Sequence, residues 1–317
     1  MIWRCGIFIS LLCFAQTFHN ALAKAATHGS EETETVEEPA ETATPGPAKK
    51  SNASKGEPTV GPGTTKSPPS RPDGSSIAKP PSQLEYGSAS ALPAKDFLVA
   101  IDIGHTKNRG GATSARGVSE YVFNERLSRE LFNSLQAAHQ FRSLLINPGG
   151  GDIGLVKRAQ VANQRNADLF IAIHHDSVKD SFLKEWVFGG KAEKYCDDFH
   201  GFSIFFSRKN VAAEDSKAFA MQLGEALVRA GFAPTLHHSA QEHRPIIDPA
   251  KGVYAFDDLL VLKNAKMPAV LLECGVIVNR AEEEQLNTAK YRNRLTTAIE
   301  TAIEGFADSV ATSAESN

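Results

Sequence analysis

Apolar positions divide the chain near residue 96. From Lys24 to Lys95 large apolar side chains are nearly absent, and Glu, Pro, Ser, Thr, Gly and Lys follow one another without period. Beyond that point short apolar runs alternate with amphipathic stretches. Phe97-Leu-Val-Ala-Ile-Asp-Ile103 is a continuous apolar run, the pattern of a strand covered on both faces. A stripe of Val122, Phe123, Leu127, Leu131 and Leu135 predicts a helix from about Glu120. Arg142 to Ile146 reads as a short strand, Gly154 to Asn166 as a helix, and Leu169 to Ile173 as a second buried strand. Phe202 to Phe206 predicts a further strand, and Ser216 to Ala230 a helix stopped by Gly231. Pro268 to Glu273 predicts a last buried strand and Tyr291 to Phe306 a last helix. Strands alternating with helices imply one α/β domain, a twisted, largely parallel sheet flanked by helices. No internal repeat is visible.

The ends set the expected organisation. A basic start through Arg4, an apolar stretch to Phe18 and Ala21-Leu22-Ala23 have the order of a secretory signal peptide over residues 1–23. The apolar stretch is shorter than the roughly 20 residues a membrane span needs. The expectation is an exported protein, periplasmic or else extracellular, with no membrane span in its mature form. Residues 24–95 bury too little apolar surface to offset the entropy of ordering and are expected to be a disordered linker. The folded domain is expected over 96–310, with a disordered tail over 311–317. A net charge of -3 gives no reason to expect nucleic acid, which calls for a dense basic patch. Cys196 and Cys274 remain after the signal, and spacing alone does not decide whether they pair.

Ligand sites in open α/β sheets form beyond the carboxyl ends of the strands. Three such ends deliver polar residues here: Asp102-Ile-Gly-His105, His174-His175-Asp176-Ser177 and Glu273-Cys-Gly275. Glu120 opens a helix after the loop 110–117. Two imidazoles and a carboxylate on rigid element ends suit a Zn²⁺ site with a position left for water. Glu273 would then serve as general base. Each residue also has a plainer reading: His105 as a loop histidine, Glu120 as a first-turn acid favoured by the helix dipole, His174 and His175 as a hydrogen-bonded pair. Glu273 resists one, because it closes an apolar run where an unpaired carboxylate is costly to bury.

Four segments, in order, carry a family resemblance. They are Asp102-Ile-Gly-His105; Gly117-Val-Ser-Glu120 with Asn124; Arg158, Ala162-Asn163 and Ala167-Asp-Leu-Phe-Ile-Ala-Ile-His174; and Pro268-Ala-Val-Leu-Leu-Glu-Cys-Gly-Val-Ile-Val-Asn279. Over Phe97 to Phe306 the chain resembles the zinc-dependent N-acetylmuramoyl-L-alanine amidases of the amidase-3 type. The resemblance implies one Zn²⁺ per chain held by His105, Glu120 and His174, with Glu273 as the catalytic carboxylate. It implies hydrolysis of the amide between N-acetylmuramic acid and L-alanine of the peptidoglycan stem peptide, in wall remodelling or daughter-cell separation. Peptidoglycan is the implied substrate, and a protein activator a further partner.

The chain departs from that pattern. Ile103 and Thr106 replace Pro and Gly beside His105, and His175-Asp176 stands where Ala-Asn is common, which makes His175 a competitor for the metal or a substrate contact. Cys274 beside Glu273 reads as a small buried residue. Two stretches exceed the simple fold: Val178 to Gly201, and Ala233 to Phe256 with His237, His238 and His243. They are expected to cover or shape the site, or else to decorate the surface. Two other functions fit the same residues less well: a zinc peptidase cutting within the stem peptide, and a non-catalytic wall-binding or activator protein. The second would have lost a ligand or the base, and all four positions are intact.

Overall fold

The computed structural model describes residues 97–138, 141–241 and 243–315. The expected signal peptide and linker lie outside these residues. In chain order the elements are β1 (Leu98–Ile103), α1 (Glu120–Ala138), β2 (Arg142–Ile146), α2 (Leu155–Gln164), β3 (Leu169–Asp176), β4 (Lys184–Phe188), β5 (Lys191–Tyr195) and β6 (Ser203–Phe206). Then follow α3 (Ala213–Arg229), β7 (Ile246–Asp248), β8 (Val253–Ala255), α4 (Leu260–Lys263), β9 (Ala269–Val276), α5 (Arg280–Leu286) and α6 (Ala289–Glu315).

Seven strands form one sheet in the order β2-β1-β3-β9-β6-β8-β7. The β1–β2, β1–β3 and β3–β9 pairs are parallel. The direction reverses between β9 and β6, and β7 runs against β8, so the sheet is largely rather than wholly parallel. Every residue of β1 is buried, as a continuous apolar run requires. Alternate residues feed opposite faces. Val99, Ile101, Ile171, Ile173 and Leu272 pack with α1, α3 and α6, while Ala100, Phe170, Ala172 and Leu271 face residues of α2 and α4.

On α1, Phe123, Leu127, Leu131 and Leu135 are buried as the stripe predicts; Val122 lies outside it and is exposed. Two helices close the chain: α5, which was not expected, and α6, which contains the expected Tyr291 to Phe306. Asn279 starts the first, its Oδ1 accepting from the backbone nitrogens of Ala281 at 3.1 Å and Glu282 at 2.9 Å. The second, α6, runs through the expected tail to Glu315. Adding a turn to an existing helix needs no new nucleus, and Ala-Thr-Ser-Ala-Glu contains no breaker.

The two long stretches differ in kind. Residues 178–201 hold the β4–β5 hairpin, whose strands pair only with each other. Residues 233–256 supply β7 and β8, which extend the main sheet. The second stretch is therefore part of the fold.

Candidate metal centre

β1 ends in Asp102-Ile103, and the backbone turns left-handed at His105, φ 63°. A non-glycine residue there is uncommon and needs outside support. Arg158 of α2 provides it. Its buried guanidinium donates to Asp102 Oδ1 at 2.8 Å, to the Ile103 carbonyl at 2.6 Å and to the His105 carbonyl at 2.5 Å. His105 is thereby aimed at the first turn of α1.

Glu120 stands between two imidazoles. Its Oε2 lies 2.9 Å from His105 Nε2, and its Oε1 lies 3.0 Å from His174 Nδ1. The two rings meet edge to face with centroids 4.9 Å apart. Asn124, one turn along α1, donates to Oε1 at 3.0 Å, and the Ala112 backbone nitrogen to Oε2 at 3.1 Å. Burial alone would raise the Glu120 carboxyl; hydrogen bonds and charge from His105 and His174 outweigh it and hold the group well below the usual range. Two glycines make room. A Cβ on Gly104 would come within 2.5 Å of His174 Nε2, and one on Gly111, φ 74°, would collide with Glu120 and His105. Two imidazole nitrogens and a carboxylate converging from three elements fit the three-ligand set of a catalytic Zn²⁺.

Glu273 lies opposite His174, its register partner on the neighbouring strand. The residue is half-buried, and its Oε2 has no hydrogen-bond partner. Burial pushes its carboxyl well up, and the charges of Asp176 and Glu120 push the same way. The four residues singled out from sequence thus converge at the carboxyl ends of β1, β3 and β9 and the start of α1.

His175 does not join them. Strand alternation turns it to the opposite face, where it is buried beside Phe123 with Nδ1 2.8 Å from Asn124 Oδ1. Burial there drives its pKa down to about 3. Cys196 and Cys274 are separate buried thiols. His237 and His238 are buried against Asp176. Their place in the 233–256 stretch was visible in the sequence; their partner, more than sixty residues upstream, was not.

The profile of the Amidase_3 family, N-acetylmuramoyl-L-alanine amidase, matches residues 99–305. The probable N-acetylmuramoyl-L-alanine amidase AmiB of Haemophilus influenzae is 26% identical over 232 residues, 67% of this chain and 52% of that protein. AmiA of Escherichia coli is 26% identical over 254 residues, 68% of this chain and 85% of that protein. Among solved structures, the amidase Ami1 of Mycobacterium smegmatis superposes with a TM-score of 0.55 at 20% identity, covering 69% of this chain and all of that one. That superposition supports the fold alone. The family profile spans the whole path from β1 through Glu120, His174 and Glu273 into α6, and with it the chain belongs to the amidase-3 family of N-acetylmuramoyl-L-alanine amidases.

Proposed function

We propose that this hydrolase cleaves the amide between N-acetylmuramic acid and L-alanine with one catalytic Zn²⁺, held by His105, Glu120 and His174, and with Glu273 as the base. The single observation that carries the reading is the unpartnered Glu273 Oε2 beside three converging donors. When bound, Zn²⁺ supplies a Lewis acid that polarises the carbonyl and acidifies water. Glu273 takes the proton of the attacking water at a carboxylate oxygen and returns it to the nitrogen of L-alanine as the C–N bond breaks. A cation at the neighbouring donors opposes the burial that raises the Glu273 carboxyl, which favours the ionised form that a base needs. Arg158 and Asn124 position ligands without touching the reacting atoms.

The substrate lies outside the cytoplasmic membrane, which agrees with the export expected from the first 23 residues and favours the periplasm. Among the described residues no helix is long and apolar enough to cross a membrane. A protein activator would act most simply on the stretches around the cleft. The test is purified protein on isolated peptidoglycan sacculi, with and without chelator, followed by mass analysis of the products. Intact stem peptides with L-Ala at the amino end are expected, and only without chelator. Products cut within the stem, leaving L-Ala on the muramic acid, would replace this reading with a peptidase.

A further inference from the structure

We propose that Asp176, His237 and His238 form a second divalent-cation site, which ties the 233–256 stretch to the end of β3. It uses the same donor set as the first cluster. Asp176 Oδ2 lies 2.6 Å from His238 Nε2 and 3.2 Å from His237 Nε2. The three ligand atoms fall within 4.8 Å of one another, a spacing that one ion of the Zn²⁺ kind can span. All three side chains are buried, the least so being Asp176 at 10% exposure.

His237 points to an ion most directly. Its Nε2 is buried, faces the carboxylate and makes no hydrogen bond. On the other side of the ring, Thr235 Oγ1 meets Nδ1 at 2.8 Å. The hydroxyl can accept there, which puts the proton on Nδ1 and leaves the Nε2 lone pair for a metal, the usual support for a ligating histidine. Aromatic rings close the surroundings: Phe199 lies 5.3 Å from His237, and Phe205 5.1 Å from His238.

Arg244 sets the condition for occupancy. Its Nη1 stands 3.2 Å from His238 Nδ1. A guanidinium only donates, so His238 here accepts at Nδ1 and gives its Nε2 proton to Asp176. An ion at Nε2 needs that proton on Nδ1, where it would face another donor. The ion and the Arg244 contact therefore exclude each other, and Arg244 is the cation that the metal displaces. It follows that the second ion binds more weakly than the first, and that removing the guanidinium tightens it.

This site is independent of the catalytic reading, and one experiment separates the two. The metal-free full chain is titrated with Zn²⁺ against a chromophoric chelator, alongside His237→Ala, Asp176→Asn, His174→Ala and Arg244→Gln. Near-UV circular dichroism checks that each variant is folded. Wild type should hold two ions of unequal affinity. His237→Ala and Asp176→Asn, either sufficing if the other does not fold, should lose only the weaker ion. His174→Ala should lose only the tighter. Arg244→Gln should tighten the weaker by about 10-fold or more, the scale of changes next to a metal ligand. One ion in both wild type and Arg244→Gln overturns the proposal, as does a second ion that survives His237→Ala and Asp176→Asn. If instead His174→Ala keeps both ions, the first site is wrongly assigned and the second stands.

Discussion

His174 and Glu273 are register partners on adjacent parallel strands, β3 and β9. The pairing fixes one proposed ligand and the proposed base through backbone hydrogen bonds rather than through loops. Their roles then separate by substitution. Glu273→Gln keeps shape and most hydrogen bonding but accepts no proton. It is expected to retain the catalytic zinc and lose about 10²–10⁴-fold in turnover. Glu120→Gln is expected to lose zinc, because that oxygen would be bonded to the metal. Metal content measured beside rate for both variants is the check. Loss of zinc from Glu273→Gln would make Glu273 a ligand.

The same carboxylate burdens the metal-free fold. The folded-state pKa of Glu273 is raised above its ordinary value of 4.5, chiefly by burial. The unfolded chain thus releases this proton first as pH rises, and stability is lost from that value upward to the folded pKa. Below about pH 4 both states are protonated and the cost vanishes. Metal-free Glu273→Gln should therefore melt above metal-free wild type near neutral pH, with the gap closing in acid. A buried unsatisfied group costs about 1–3 kcal/mol, and each kcal/mol moves a domain of this size by about 2–4 °C. Identical melting curves at neutral pH would count against a buried, unpartnered Glu273 Oε2.

Arg158 joins α2 to the turn that carries His105. Removing one member of a buried ion pair costs about 3–5 kcal/mol, mostly through the charge left behind. Arg158→Met should lose stability on that scale. Arg158→Met with Asp102→Asn should regain part of it but still bind the catalytic zinc more weakly, since the His105 carbonyl keeps no donor. Urea melts with zinc titrations test this. Full zinc affinity in the double variant would free His105 from Arg158.

The β4–β5 hairpin and the β7–β8 pair should respond differently to deletion. The hairpin leans on the loop before Glu120 through Trp186, whose Nε1 donates to the Ala115 carbonyl at 2.8 Å. Replacing 184–195 by a short flexible link should leave melting nearly unchanged and raise cleavage of sacculi without raising zinc content. Deleting 246–255 strips two strands from the main sheet and should unfold the domain. Unchanged or lower activity after the hairpin deletion excludes it as a barrier.

The apolar runs of β1, β3 and β9 were legible because both sheet faces are covered. Their ends were not: β3 continues past Ile173 and β9 past Glu273, since polar residues at the site break the run without breaking the strand. The β4–β5 hairpin was hidden by Lys184, Glu185, Lys191, Glu193 and Lys194, which leave little alternation to read. β7 and β8 are short, and the reversal at β6 depends on where the chain returns. His105, Glu120, His174 and Glu273 were legible as one group through family spacing. His175 beside His174 read as equivalent in sequence, yet strand alternation sends the two rings to opposite faces. Pairing of His237 and His238 with Asp176 depends on the tertiary path of a long stretch, which no local pattern encodes.

The position of β9 has a consequence in time. It is the last strand made, yet it lies at the middle of the sheet, between β3 and β6. Until residues 269–276 arrive, the two halves have no strand to join them, and His174 has no register partner to carry Glu273. Assembly of the sheet and placement of the proposed base are one event. The proposed activity thus waits on the docking of residues 269–276, and a fragment ending before Ala269 should remain protease-sensitive and without activity.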